Sequence, residues 1–127
     1  MKIKRFYING SLKEVLNYRG GYLHNKWIHY FENGKKYTQY NYKFGFRHGI
    51  SKKWFESGKL KSTISYDHNE HHGFYKEWFE NLQLRKLHNY KNGKLHGEYK
   101  SYDINGSLQC YLVYRKNKVI KTIIGDK

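Results

Sequence analysis

Residues 88–102 read HNYKNGKLHGEYKSY. The tail of this stretch has two relatives upstream, RHGISKKWFESG at 47–58 and HHGFYKEWFENL at 71–82. Each sets a His-Gly pair a few residues ahead of an aromatic run. Aligned at a step of 24 residues, the chain falls into register with no insertion or deletion. Tyr18, Tyr42, Tyr66, Tyr90 and Tyr114 form one column, and His24, His48, His72 and His96 a second. Phe6, Tyr30, Trp54, Trp78 and Tyr102 form a third. Gly10, Gly34, Gly58 and Gly106 form a fourth, in which Leu82 stands for glycine. Leu12, Leu60, Leu84 and Leu108 form a fifth, with Lys36 as its odd member. Gly49, Gly73 and Gly97 follow three of the histidines, and Asn25 follows the first. Self-similarity at a fixed period of a few tens of residues marks an array of stacked units. The chain is expected to form one domain of five units, about 4–27, 28–51, 52–75, 76–99 and 100–127, the last acting as a C-terminal cap.

The unit shows best in WFESGKLKSTISY, residues 54–66. An aromatic pair precedes a turn signal, and Leu60, Ser62, Ile64 and Tyr66 then alternate with their neighbours. A period of two argues for a strand. Asn9-Gly10, Asn33-Gly34, Ser57-Gly58 and Asn105-Gly106 read as two-residue hairpin turns, because Asn and Gly tolerate positive φ. Asn81-Leu82 is the weakest of the series, since leucine resists positive φ. A second, looser turn holds Gly21, Gly45, Asn69, Gly93 or Asn117. No segment has helical periodicity. The fold class expected is all-β: an elongated single-layer antiparallel sheet of stacked hairpins, about ten strands long.

Two-residue turns place residue 55 opposite 60, 54 opposite 61 and 51 opposite 64. Alternate residues point to opposite faces, so two faces separate. An apolar face carries Tyr7, Phe31, Phe55 and Phe79 opposite Leu12, Lys36, Leu60 and Leu84. It also carries Ile3, Trp27, Tyr75 and Tyr99 opposite Leu16, Tyr40, His88 and Leu112. A basic-aromatic face carries Phe6, Trp54 and Trp78 opposite Lys13, Lys61 and Arg85, with Lys4, Lys52, Lys76 and Lys100 beside them. A three-residue turn with a bulge shifts this pairing. The candidate binding residues are Lys52, Trp54, Lys61, Lys76, Trp78, Arg85 and Lys100. Gly34, Tyr42, Gly49, Gly58, Tyr66, Gly73, Tyr90 and Gly97 are assigned to the repeat scaffold.

The chain has 127 residues and a formal charge of +15. Such a balance favours polyanionic partners: nucleic acid, an anionic membrane surface or an acidic protein. Aromatic residues make up 19%, with 14 tyrosines, while aliphatic residues are scarce. Tyrosine and tryptophan suit half-buried positions with one wet tip. Cys110 is alone, which excludes an internal disulfide and fits a reducing, cytoplasmic compartment. The opening MKIKRFYING lacks the apolar run of a secretory signal. No stretch approaches the ~18 apolar residues of a membrane-spanning helix. Proline and alanine are absent while Lys, Asn, Tyr and Ile abound, a bias expected of an AT-rich bacterial or viral genome.

Catalytic and metal signatures are weak. One hairpin per repeat sets neighbouring histidines of the His-Gly column about 10 Å apart, too far to share a zinc ion that binds its nitrogen ligands at about 2 Å. Each is read as bonding a turn. The only metal-like spacing is His68, His71 and His72 with Asp67 and Glu70, in the longest loop signal. Cys110 has no evident activating base, and no Ser-His-Asp order, phosphate loop or close carboxylate pair is present. The expectation is a chain with no enzymatic role, no cofactor, no bound metal and no small-molecule substrate.

The consensus Y/W-F-x-N-G-K-L, followed by Y-x-N-G-K-x-H-G, resembles the MORN-repeat variant. The clearest copies are YFENGKKYTQYNYKFGFRHG and YKNGKLHGEYKSYDINGSL, and the resemblance covers residues 4 to 120. It is similar to the bacterial antitoxin-like proteins built of such repeats, and to repeat proteins of giant amoebal viruses. The resemblance implies a twisted ribbon of hairpins that scaffolds, docks partners or touches acidic phospholipid, virion-associated if the source is viral. The departures are Leu82 and Asn25 for glycine, and an ending, NKVIKTIIGDK, whose apolar VIKTII is expected to cap the final edge. Two functions stay open. One is a module that docks a protein partner or a second copy through the sheet. The other binds anionic phospholipid or nucleic acid through the basic-aromatic residues by charge and stacking.

Overall fold

The computed structural model describes residues 1–124. Every regular element in it is a strand: β1 (Lys2–Phe6), β2 (Leu12–Arg19), β3 (Tyr22–Leu23), β4 (Asn25–Tyr30), β5 (Lys36–Lys43), β6 (Phe46–Arg47), β7 (Gly49–Trp54), β8 (Leu60–Asp67), β9 (Glu70–Trp78), β10 (Leu84–Lys91), β11 (Lys94–Tyr102), β12 (Leu108–Arg115) and β13 (Lys118–Ile124). All join one antiparallel sheet laid down in chain order, with β3 and β6 as short side pairings of β2 and β5. The all-β sheet of hairpins expected from the repeat is what forms. The strands β2, β5, β8, β10 and β12 begin 24 residues apart, at Leu12, Lys36, Leu60, Leu84 and Leu108.

The two turns exchange the roles that the sequence suggested. The Asn-Gly turn is not a two-residue loop. Gly58 N–H donates to Phe55 O at 2.8 Å, and Phe55 N–H donates to Lys59 O at 2.9 Å. That pattern is a four-residue turn closed by a residue with positive φ. Gly58 supplies it, at +94°. Tyr7/Gly10, Phe31/Gly34, Phe79/Leu82 and Asp103/Gly106 repeat the bond between 2.9 and 3.0 Å. Asn9, Asn33 and Asn81 instead accept locally, Asn33 Oδ1 receiving Lys35 N–H at 2.9 Å, while in the last turn Asp103 Oδ1 receives Ser107 N–H at 2.9 Å. The turn expected to be looser is the tight one. Phe44-Gly45, His68-Asn69, Asn92-Gly93 and Lys116-Asn117 all have positive φ at both positions, the mark of a type I′ hairpin.

A bulge follows each Asn-Gly turn. Lys53 pairs with Ser62 but Trp54 pairs with Leu60, so Lys61 is left over. The same shift leaves out Lys13, Tyr37, Arg85 and Gln109. Each unpaired residue reaches the first residue of its own turn. Lys13 lies 5.8 Å from the Tyr7 ring, Lys61 5.7 Å from Phe55 and Arg85 5.2 Å from Phe79. Tyr37 stacks on Phe31 at 4.6 Å, and Gln109 Nε2 donates to Asp103 at 3.2 Å. The pairings of Phe6, Trp54 and Trp78 with Lys13, Lys61 and Arg85 are therefore corrected. Their partners are Leu12, Leu60 and Leu84.

Away from the bulges the expected register holds. Ile3 faces Leu16, Trp27 faces Tyr40, Ser51 faces Ile64, Tyr75 faces His88 and Tyr99 faces Leu112. Alternation then defines two sides of the sheet. An aromatic face holds Trp27, Tyr40, Tyr66, Tyr75, His88, Tyr90, Tyr99 and Tyr114. A lysine face holds Lys4, Lys52, Lys76 and Lys100.

Little of this surface is covered. Val15, Leu16 and Tyr66 are the buried apolar residues among those described, and no large side chain there is less than 2% exposed. The fold rests on its backbone ladder, on cross-strand side-chain pairs and on bonds between successive repeats. Asn33 Nδ2 donates to Glu56 O at 3.0 Å, and Asn81 Nδ2 to Ile104 O at 2.9 Å. The VIKTII segment pairs with β12 at the end of the sheet. It forms the last strand, exposed throughout, with register shifts that leave Ile120 and Ile123 out of the ladder. Residues 125–127 of the expected cap lie outside the described residues.

Candidate interaction faces

The aromatic face carries a continuous file of rings. Trp27 packs on Tyr40 at 6.5 Å and on Tyr42 at 6.1 Å. The Arg47 guanidinium lies over Tyr40 at 4.9 Å and Tyr66 at 5.4 Å, so it bridges the second and third repeats. His71 stands edge-on between Tyr66 at 5.0 Å and Tyr90 at 4.8 Å. His88 packs among Tyr75 at 4.6 Å, Tyr99 at 5.0 Å and Tyr90 at 5.5 Å. Tyr99 passes the file to Tyr114 at 6.0 Å.

Charge is tuned along this file. Burial pushes His88 down to about 4, and Lys86 beside it adds to the effect. Burial and then Arg47 lower His71, so both imidazoles are neutral at pH 7. Hydrogen bonding to Tyr42, at 3.5 Å, holds Arg47 above the usual arginine range. Burial, and then its hydrogen bond to Glu77 at 2.7 Å, push Tyr75 up. A shallow pocket of about 180 Å³ opens mid-file, walled by Tyr40, Tyr66, Tyr75 and His71 over Ser51 and Ser62. Ser51 is 3% exposed and its hydroxyl has no hydrogen-bond partner.

The seven candidate binding residues do not share one arrangement. Lys52, Lys76 and Lys100 belong to a single cross-strand row, Lys52–Thr63–Lys76–Leu87–Lys100–Tyr111. Two strand steps separate successive lysines, about 10 Å. Lys76 lies over Phe74 at 5.7 Å and Lys100 over Tyr111 at 4.5 Å. Lys100 also pairs with Glu98 at 3.1 Å. Trp54 and Trp78 alternate in phase with Lys52 and Lys76. Lys61 and Arg85 leave the set: the bulge lays them on Phe55 and Phe79, and Arg85 Nε pairs with Glu77 at 3.3 Å. Because Glu77 faces Lys86 on the aromatic side, the charge of Arg85 is engaged there.

Of the scaffold residues, Gly34, Gly49, Gly58, Gly73 and Gly97 all have positive φ. Gly49, Gly73 and Gly97 sit directly opposite Tyr66, Tyr90 and Tyr114. Tyr42 lies opposite Asn25, which takes the glycine conformation at +64°. Of the His-Gly column, His24 bonds a turn, its Nδ1 accepting Phe44 N–H of the next repeat at 3.4 Å; among the described residues the side chains of His48, His72 and His96 make no such bond. His68 bonds Asp67 at 2.7 Å, whereas His71 belongs to the ring file. Among the described residues, no three His, Cys, Asp or Glu side chains gather as a metal site.

The MORN repeat variant matches residues 23–44, 47–68 and 95–117, together more than half of the chain. The chain belongs to the MORN repeat variant family. The unmatched stretch between the second and third copies holds Leu82, the residue that replaces the turn glycine. No curated protein matches the chain. The crystal structure of TarM is similar over 95% of this chain, with 13% identity and a TM-score of 0.41. This chain spans 21% of the TarM chain.

Proposed function

We propose that the protein is a non-catalytic interaction module whose aromatic face docks another protein. The ring file carries this reading. It runs from Trp27 to Tyr114, across most of the sheet, and among the described residues no second layer packs against it. Accessible surface supports it. The chain exposes 8459 Å², whereas a compact protein of 15.5 kDa exposes about 7,200 Å². The excess is comparable to one partner's share of a standard interface, about 800 Å² or more. The file is half-buried rather than open, with Tyr66 buried, and tyrosine, tryptophan and arginine are the residues that anchor protein interfaces. An assembly component and an antitoxin-like protein are two versions of this role, and a second copy is one form of the partner.

The row of Lys52, Lys76 and Lys100 favours a second reading, a polyanion held against the opposite face. Salt separates the two. Capture of partners by the tagged chain at about 100 mM and about 500 mM salt spans the range in which screening grows. The docking reading predicts one stoichiometric protein retained at both. Nucleic acid or lipid lost at the higher salt supports the lysine row instead.

A further inference from the structure

The two hairpin tips at the C-terminal end of the ribbon concentrate charge that neither face explains. The strand pair β10–β11 closes with Lys91 directly opposite Lys94. The next, β12–β13, closes with Arg115 opposite Lys118, and Lys116 sits in the loop itself. Like charges directly opposite on paired strands are destabilising, so both closures work against the fold. Like charge at a closure is not unique to these tips, since Asp67 faces Glu70, but that pair is acidic; Lys43 faces Phe46 and Arg19 faces Tyr22, so no earlier tip pairs two cations. Among the described residues, none of these five cations has a carboxylate within ion-pair distance.

A cleft of about 280 Å³ opens between the two tips, lined by Lys91, Asn92, Lys94, His96 and Lys116. Its walls are locked. Asn117 N–H donates to Leu95 O at 2.9 Å, and Asn117 Oδ1 accepts Leu95 N–H at 2.7 Å. The molecule contains its own control, two repeats upstream. There Asn69 makes the same two bonds to Arg47, at 3.1 and 2.7 Å. A cleft of about 210 Å³ again results, but its lining is Lys43, Phe44, Phe46, His48 and His68. The backbone builds both clefts. Only the C-terminal one receives Lys at the places of Phe46 and His68, so the fold does not require those ammonium groups.

We propose that this cleft binds phosphate groups of a ligand carrying at least two of them. Three lysines face one small cleft, and a single phosphate brings only about −1.5 to −2 of charge. A pair of phosphates matches the ammonium groups, which bind phosphate as point charges, with the Asn92 amide and the His96 ring as further partners. Ligand binding then offsets the repulsion built into the two closures. A soluble polyphosphate and a phosphorylated lipid headgroup present this same chemistry.

The test titrates inorganic pyrophosphate into the full ¹⁵N-labelled chain. The expected result is a saturable shift of the Asn92, Lys94, Leu95, Lys116 and Asn117 amides, with the upstream cleft still. Lys94→Phe with Lys116→His copies the lining of the upstream cleft, which this fold already accommodates. That double variant is expected to lose at least tenfold in affinity and to melt higher without ligand. Lys94→Gln alone is expected to lose several-fold, and Lys43→Gln nothing. Vesicles with a phosphorylated headgroup that displace pyrophosphate from the wild type, but do not bind the double variant, make the source a lipid. Vesicles that fail to displace it make the source soluble. Equal pyrophosphate affinity in the double variant, or shifts centred on Lys52, Lys76 and Lys100, would overturn the assignment.

Discussion

Tyr75 and His88 are direct cross-strand partners whose ring centroids lie 4.6 Å apart. The His88 Nδ1 is buried with no hydrogen-bond partner, and burial followed by Lys86 lowers the ring to about 4. In the unfolded chain the same ring titrates near 6.5. Between these values the unfolded chain takes up a proton that the folded chain refuses. Stability therefore falls as pH drops from about 6.5 to about 4. At about 1.4 kcal/mol per pH unit, the ceiling is about 3 kcal/mol. His71 is lowered in the same direction. Urea melts across this range should show the slope, and His88→Phe should flatten most of it while keeping the stack. An unchanged slope in that variant would refute the assignment.

Leu82 stands at a turn position with φ of +72°, where four other repeats use glycine, and is 65% exposed. An L-residue in that conformation costs about 1–2 kcal/mol. Glycine returns part of this through a freer unfolded chain, about 0.4–1 kcal/mol. Leu82→Gly should stabilise by roughly 0.5–1 kcal/mol, seen as a higher denaturation midpoint. The reverse change, Gly58→Leu, should lower it. A destabilised Leu82→Gly protein would mean that the leucine makes a contact the turn needs.

Glu14 is 6% exposed and gathers three partners: Trp27 Nε1 at 2.9 Å, Arg5 Nη1 at 3.0 Å and His29 Nε2 at 3.4 Å. Burial works against its charge, but the bonds from Trp27 and Arg5 hold the carboxyl below the usual range. Its contribution is full above the ordinary carboxylate pKa and is lost as pH falls through the lowered one. Glu14→Ala should cost about 2–3 kcal/mol, most of it through Trp27, because Arg5 is largely exposed. Amide exchange should quicken first in β1, which this carboxylate ties to β4. Glu14→Gln should keep the indole bond and recover part of the loss.

The 24-residue step made the sheet and the ladder legible, because the tyrosine column and the Leu60–Ser62–Ile64–Tyr66 alternation fix which side of each strand is aromatic. The turns were not legible. Asn-Gly serves both a two-residue loop and a longer turn with positive φ only at glycine, and hydrogen bonds rather than composition decide between them. That one ambiguity moved every pairing near the turn. It took Lys61 and Arg85 from Trp54 and Trp78 and laid them on Phe55 and Phe79. Lys52, Lys76 and Lys100 kept their row because they lie beyond the bulge. Arg47 and His71 were missed as members of the ring file, whereas His88 was placed on that face opposite Tyr75. Arg47 and His71 lie across tight turns from Tyr42 and Tyr66, and the sequence pattern read those turns as loose.

The bulge itself is open to test. Lys61→Ala removes a ring–cation contact worth about 0.5–1 kcal/mol at an exposed site. It should lower stability by no more than that and leave the lysine row intact. Lys61→Phe should be tolerated, since Tyr37 already stacks on Phe31 at the equivalent place. Loss of folding in Lys61→Phe would contradict the bulge geometry.

The most direct measurement compares capture of partners by three forms of the tagged chain at about 500 mM salt, where exposed charges are screened. They are the wild type, Tyr40→Ala with Tyr99→Ala on the aromatic face, and Lys52→Gln with Lys76→Gln and Lys100→Gln on the other. Circular dichroism first establishes that both variants keep the sheet. Docking through the ring file predicts a stoichiometric protein held by the wild type and the lysine variant and lost from the tyrosine variant. Loss from the lysine variant alone, with the tyrosine variant binding as the wild type does, would contradict it.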